Sequence, residues 1–500
     1  MPPQGAPEPV AERATRNLRM SEHPARIVGA VAVGAGSAVG SVVLPGPRIG
    51  FPRIIILSLY WVALGYLWLP LGSQVIPQII LDLGLGAHKG TLVFVLEGGG
   101  TLLSIFVQPI VGALSDRTNS RFGRRHPYIL LGTLGSCVFL SLMILAGSFF
   151  WLMGLYFLLQ LSENSAQGPY QGLLPDVVPE EERSRASAFV GGGNLLGLLL
   201  GTVVVGTFMA SNRKDLAIGS MIVVLLVAAV VIVTTMPDKV KPALGLKIDF
   251  KDLLVGTFAI SPRKYSNFLW LMTSRLFILV AIAGLQSFAL FFFRDVFYPG
   301  HGVALDNAAQ AATRDLSAAI ILLALLVSYP AAAISHRLGR KPLIIFAGLI
   351  GAVGALGLIL SAYLFLPGFM LAPVGSLLHL SANLSQSLYC GMLVGIAAGT
   401  FLSVDWAYLC EVIPMDEAGR FLGFSNLATA GSGVIARMVG GPLIDIFNAK
   451  GHILGQPGGY PVTFSVYMVF FLLGTLAILK VGETRPRGGG RGTRPRLVAH

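Results

Sequence analysis

Five ionisable side chains stand inside long apolar runs where lipid would ordinarily exclude them: Glu97, Glu163, Arg275, Asp405 and Arg437. A charge at the bilayer centre costs at least about 2.5–3.5 kcal/mol on insertion scales, so such groups normally face a protein interior or water and pair with one another. Ion pairing, proton or cation binding and recognition of a polar solute are the chemistries open to them. Around Glu163 the run also carries Asn164, Gln167, Tyr170 and Gln171. Spacings of four, seven and eight from Glu163 put Gln167, Tyr170 and Gln171 on one helix face with it. A polar stripe on an apolar helix is expected to line a central cavity. Amides and a carboxylate both suit a polyhydroxylated solute, because each hydroxyl donates and accepts, and the tyrosine ring can cover an apolar C–H side.

Depth suggests partners for the other charges. Arg275 and Asp405 lie about 12 and 10 Å into their runs from the same side, and are expected to form an ion pair beside the cavity. Glu97 and Arg437 lie about 27 and 25 Å from that side, at similar height to each other. A carboxyl that carries a coupling proton must gain and lose it as burial and neighbouring charge change. Glu163 and Asp405 are the first candidates, with Glu97 next. The same carboxyls could serve H⁺ or Na⁺.

The elements that must position these groups are membrane helices. The chain has 500 residues, 54% of them hydrophobic and only 12% charged, with a mean hydropathy of +0.74. Soluble chains carry roughly 25% charged residues, so the flanks of this one need lipid rather than water. Apolar runs fall near residues 52–79, 90–114, 127–147, 149–176, 186–210 and 216–236, then near 268–293, 315–334, 342–366, 386–412, 420–446 and 461–481. Each reaches or approaches the roughly 20 residues that cross a hydrocarbon core. Backbone in lipid must satisfy its own hydrogen bonds, so the runs are predicted to be helices. The fold class that follows is an all-α membrane protein of about twelve spans in two six-helix bundles.

Residues 1–50 are expected to be a cytoplasmic disordered tail, 51–236 the first bundle, 237–267 a cytoplasmic linker, 268–482 the second bundle and 483–500 a basic cytoplasmic tail. Residues 27–44 are uncharged but too rich in Gly, Ala and Ser to count as a span. Most of the 36 Lys and Arg fall in alternate connections, and the positive-inside rule makes that side cytoplasmic, both termini included. The same distribution argues against nucleic acid as the meaning of the +12 net charge. Cys137, Cys390 and Cys410 imply neither disulfides nor a metal site and read as small core residues. No phosphate-binding Gly-Lys-Ser/Thr loop or His-Glu-x-x-His pair occurs, so an enzyme, an ATP-driven pump, a cofactor and a metal are not expected.

The halves repeat. Leu174-Pro175-Asp176-Val177-Val178-Pro179, with Arg185 beyond, returns as Leu409-Cys410-Glu411-Val412-Ile413-Pro414 with Arg420 beyond, at a constant offset of 235 positions. Gly123-Arg124-Arg125-His126-Pro127 is echoed by Gly339-Arg340-Lys341-Pro342. Two echoes in the same order indicate parallel repeats about an axis along the membrane normal.

The loop after the second run, Gly112-Ala113-Leu114-Ser115-Asp116-Arg117-Thr118-Asn119-Ser120-Arg121-Phe122-Gly123-Arg124-Arg125, resembles the loop signature of the major facilitator superfamily. Its Arg-aromatic-Gly-Arg-Arg ending, with Pro169-Tyr170-Gln171-Gly172-Leu173-Leu174-Pro175-Asp176 downstream, is similar to the glycoside-pentoside-hexuronide:cation symporters and their sucrose-transporter relatives. The resemblance implies that Asp116 and Arg124, with Arg117, Arg121, Gly123 and Arg125, brace the cytoplasmic ends of the halves in an outward-facing state. It also implies that the second and eleventh runs meet between the halves, where Glu97 and Arg437 are expected to close an outer gate. In the second copy His336 replaces the acid, so Arg340 is expected to act in a weaker or pH-sensitive brace. The expectation is a monomeric, multi-pass cell-membrane symporter that moves a small-molecule substrate, a sugar or glycoside, with H⁺ or Na⁺. A drug or metabolite antiporter of the same superfamily and a non-transporting receptor are the alternatives.

Overall fold

A computed structural model describes residues 50–179, 182–238, 263–300, 302–363, 366–378, 380–413 and 418–482. The tail with residues 27–44, residues 239–262 of the 237–267 linker, the 483–500 tail and the side chains of Arg420 and Asn426 lie outside the described residues.

Among the described residues, twelve long helices follow one another. The first half comprises α1 (Phe51–Asp82), α2 (Gly86–Ser115), α3 (His126–Met143), α4 (Phe149–Val177), α5 (Arg183–Ala210) and α6 (Lys214–Thr235). The second comprises α7 (Ser266–Ser287), α8 (Val303–Leu338), α9 (Arg340–Leu360), α10 (Ala382–Val412), α11 (Ala418–Lys450) and α12 (Gly459–Leu479). Eleven are long and apolar enough to cross a membrane. The remaining one, α4, is long enough at 29 residues, and it is the polar content of Gln160–Gln171 that sets it apart.

Two features depart from the sequence expectation. Helix α8 runs from Val303 rather than 315, because Asp306 and Arg314 do not break it: Asp306 pairs with Arg294 and Arg314 with Asp315. A short helix, Gly368–Leu378, precedes α10 where only a loop is expected. Cys137 and Cys390 are buried as small core residues, but Cys410 is exposed on the flank of α10.

Local chemistry sets the helix ends. Pro52 and Pro127 occupy first-turn positions of α1 and α3, where a missing N–H costs nothing. Ser148 and Ser381 cap α4 and α10 by accepting from Trp151 N and Leu384 N, as N-cap hydroxyls do. Gly123 turns the chain into α3 with φ +98°, a left-handed conformation that strains other residues.

Packing within each half follows one plan. Helix α1 packs on α5 and α6, α4 on α2 and α3, and α3 on α6; correspondingly α7 packs on α11 and α12, α10 on α8 and α9, and α9 on α12. Small residues allow the closest crossings, as in membrane bundles generally. A Cβ on Gly197 of α5 would lie 2.1 Å from the Val62 carbonyl of α1, and one on Gly399 of α10 would lie 2.3 Å from the Ala324 carbonyl of α8. The most extensive contacts between the halves run along two seams, α2 with α11 and α5 with α8, which the same repeat symmetry exchanges.

Candidate functional site

The site grows from two helix faces. On α2, Glu97, Thr101, Ser104 and Gln108 recur at four-, seven- and eleven-residue steps, one stripe of a 3.6-residue helix. The turn Phe94–Gly98 is π-helical; its extra residue re-aims the side chain it carries, a device frequent at functional sites. On α4, Tyr156, Gln160, Asn164 and Gln167 form the facing stripe. With Trp68 of α1 and Arg437 of α11 they line a cavity of about 260 Å³ at the junction of the halves.

The amides of this lining are wired together. Gln108 Nε2 donates to Asn164 Oδ1 (2.7 Å) and Gln167 Oε1 (2.9 Å). Asn164 Nδ2 donates to Gln160 Oε1 at 2.9 Å, and Gln160 Nε2 donates to the Tyr156 hydroxyl at 2.8 Å. Each amide keeps unused donors or acceptors beyond these bonds. At one edge Arg437 Nη2 meets Glu97 Oε2 at 2.6 Å, the pair expected from their depth together with the family resemblance. A Cβ on Gly72 of α1 would come within 2.8 Å of that carboxylate, so α1 leaves just enough room for it.

The predicted α4 stripe divides between two faces. Asn164 and Gln167 reach the cavity, but Glu163 and Tyr170 do not line it, and Gln171 is exposed. Glu163 is fully buried and accepts from the Tyr60 hydroxyl at 2.8 Å, which also meets Thr133 Oγ1 at 3.1 Å; Tyr170 donates to the Leu57 carbonyl. The two faces are separated by roughly 80° at 100° per residue, enough to turn one towards α1 and α3 and the other towards α2. Arg275 and Asp405 do form the expected ion pair, with Arg275 also donating to Thr429 Oγ1 at 3.0 Å. That pair too lies outside the cavity lining.

Several residues of the candidate site are not singled out by the sequence. Gln108, at the hub of the amide network, and Thr101 and Ser104 could have been found from their spacing with Glu97. At the end opposite the Gly123 turn, α2 meets α11 backbone to backbone: a Cβ on Gly441 would lie 2.3 Å from the Gly90 carbonyl. There Asp445 of α11 accepts from Gly90 N (3.0 Å) and Thr91 N (2.7 Å). Lys89 bonds Asp295, which also accepts from the Tyr460 hydroxyl. Gln310 of α8 donates to Gln78 Oε1 of α1 at 3.0 Å. The halves are closed at this end.

At the basic end the loop charges bond within their own half. Arg124 pairs with Asp176 (2.6 Å) and Asp116 (3.6 Å), and Arg125 with Asp116 (3.0 Å) and Asp176 (2.7 Å). Asp116 and Arg124 therefore do not brace the two halves in this conformation, whose opposite end is shut. Asp238, after α6, accepts from Arg125 N (2.6 Å) and His126 N (3.1 Å). A Cβ on Gly123 would collide with that carboxylate at 2.3 Å. Arg121 lies over the Phe122 ring. Arg340 pairs with Glu411 at 3.1 Å and donates to Ser335, so a hydroxyl, rather than His336, takes the place of the missing acid.

The family model of the Major Facilitator Superfamily matches residues 73–380, and that of Sugar (and other) transporter matches residues 292–486. The sucrose transport protein SUC4 of Arabidopsis thaliana is 30% identical over 125 residues, 21% of this chain and 24% of that protein. The D-xylose-proton symporter-like 3, chloroplastic, of the same plant is 33% identical over 144 residues, 29% of this chain and 23% of that protein. The chain thus spans about a quarter of the length of these relatives. Among solved structures, the nucleoside transporter NupG superposes with a TM-score of 0.60 at 13% identity, covering 86% of this chain and 98% of that one. These families consist of transporters rather than enzymes, and the helices make the chain a multi-pass membrane protein. Matched by the superfamily model over more than half its length, the chain belongs to the major facilitator superfamily.

Proposed function

We propose that this chain is a secondary active transporter that moves a sugar or glycoside across the cell membrane in symport with a cation, a proton first, by alternating access. The single observation that carries the proposal is the cavity: amides, hydroxyls, two aromatic side chains and one ion pair converge at the junction of the halves. Amides present donor and acceptor together, as sugar hydroxyls require, and an indole face can cover the C–H side of a pyranose. No nucleophile–base pair stands in that lining, which suits a solute that leaves unchanged.

In this proposal the basic turns face the cytoplasm, and the closed end is the outer one. Outward opening separates α2 from α11 and so breaks Glu97–Arg437, the Asp445 bonds to Gly90 and Thr91, and Lys89–Asp295. The inner gate then closes through the basic loops, with Asp116, Arg117, Arg121, Arg124 and Arg125 in the first half and Arg340 in the second. Protonation of Glu97 removes one partner of the ion pair that holds the seam, which joins proton uptake to outer opening. Glu163 and Asp405 are the further carriers of coupling charge. Rocking of one half against the other about a fixed midplane site is how such repeats operate.

The test is uptake of radiolabelled sucrose and maltose into proteoliposomes. Accumulation driven by an acid exterior and abolished by a protonophore is expected. Accumulation driven by a Na⁺ gradient alone would replace the proton, and absence of uptake of either sugar under both gradients would contradict the proposal.

A further inference from the structure

The Glu97–Arg437 pair has an unused side. Glu97 Oε2 is taken by Arg437 Nη2 at 2.6 Å, and Arg437 Nη1 donates to the Gly433 carbonyl at 3.2 Å. Glu97 Oε1 and Arg437 Nε, in contrast, are buried and have no hydrogen-bond partner. Glu97 is only 3% exposed. Buried polar atoms are nearly always paired, and an acceptor and a donor left open on one ion pair, both residues lining one cavity, make a matched binding edge. Glu97 and Arg437 are also the only charged residues in that lining, and their charges cancel.

We infer that this pair orients the substrate and sets its charge class, an inference that rests on the cavity being the sugar site. One hydroxyl of a vicinal diol donates to Glu97 Oε1 while its neighbour accepts from Arg437 Nε–H. The remaining ring hydroxyls meet the amides of Gln108, Gln160 and Gln167. Because the ion pair is internally neutral, a neutral sugar enters without stranding a charge, whereas a uronate carboxylate finds Arg437 already engaged. The α2 π-turn that aims Glu97 at Arg437 is therefore a specificity device as well as part of the seam. Removing the carboxylate frees the guanidinium, and a free guanidinium binds carboxylates well.

Equilibrium binding to the purified full-length protein tests this, with sucrose, maltose and glucuronate as the probes. The wild type is expected to bind at least one neutral sugar about tenfold or more tighter than glucuronate. In Glu97→Gln the ratio of neutral to uronate affinity should fall at least about tenfold, with glucuronate binding gained. An unchanged ratio in folded Glu97→Gln would overturn the inference. Should that variant not fold, Glu97→Asp keeps the charge but withdraws Oε1; it is expected to weaken neutral-sugar binding about tenfold with no uronate gain, and undiminished binding would overturn the inference. Gln167→Ala separates the two ideas. If it leaves sugar binding intact, the cavity assignment fails; if it weakens binding about tenfold while the Glu97→Gln ratio is unchanged, only the role of the pair fails.

Discussion

Asp445 accepts the backbone N–H groups of Gly90 and Thr91 at 3.0 and 2.7 Å, so the start of α2 is capped by a carboxylate from the other half of the molecule. Free amides and a positive dipole end make a helix N-terminus a good place for an anion. Here that ordinary capping bond is made across a seam, and it exists only while α2 and α11 touch.

Asp445→Ala should therefore loosen the closed end without unfolding either half. A capping interaction is worth about 1 kcal/mol, or roughly a fivefold shift towards the open form. Spin labels at Ala87 and Lys450, both exposed at that end, would report a larger population of long distances. An unchanged distribution would show that the cap does not hold the seam.

Gly441→Val should do more. A Cβ at position 441 would lie 2.3 Å from the Gly90 carbonyl, a backbone atom that cannot swing aside. Closure should be blocked and uptake lost, while the same labels report an open end and the thermal midpoint stays within about 2 °C, the scale of a 1 kcal/mol change in a chain this long. Full uptake in this variant would mean that the two backbones never need to meet.

The Arg275–Asp405 pair makes a prediction about stability. Breaking a buried pair by removing one partner costs about 3–5 kcal/mol, because the other charge is stranded, whereas removing both costs less. Asp405→Asn should lower the melting temperature more than Asp405→Asn combined with Arg275→Gln. Equal losses in the single and double variants would remove the pair as an energetic unit.

Glu163 and Gln167 should separate binding from coupling. Glu163 bonds Tyr60 away from the cavity, so Glu163→Gln should keep sugar affinity within about threefold. Gln167→Ala, which removes a cavity amide, should cost about tenfold, the equivalent of 1.4 kcal/mol. Isothermal titration of both variants checks this, and the reverse order would place the site on the other face of α4.

The fold was legible because lipid simplifies the sequence: apolar runs must be helices, and the 235-position echo of Asp176 in Glu411 discloses the repeat. Depth along each run sufficed to join Arg275 with Asp405, since charges at equal height have few other partners, whereas joining Glu97 with Arg437 also took the family resemblance that sets their helices side by side. The division of the α4 stripe was harder to see. Glu163 and Gln167 are only about 40° apart at 100° per residue, and which neighbour each meets depends on how α4 rotates against α1 and α2. Asp445 and Lys89 sit near helix ends, where charges are unremarkable in sequence, and their partners are a backbone amide pair and a residue more than 200 positions away. Gln108 was hidden for a simpler reason: an uncharged amide among apolar residues draws notice only when the whole Glu97–Gln108 stripe is counted.

If solute passes between halves that part at the α2–α11 seam, tying that seam shut must stop transport. Cysteines at Thr91 and Asp445, whose wild-type backbone amide and carboxylate are 2.7 Å apart, would be oxidised in proteoliposomes and sucrose and maltose uptake followed before and after reduction. Loss of uptake on oxidation and its return with dithiothreitol is the predicted result. Uptake that continues undiminished with the disulfide fully formed would contradict the account.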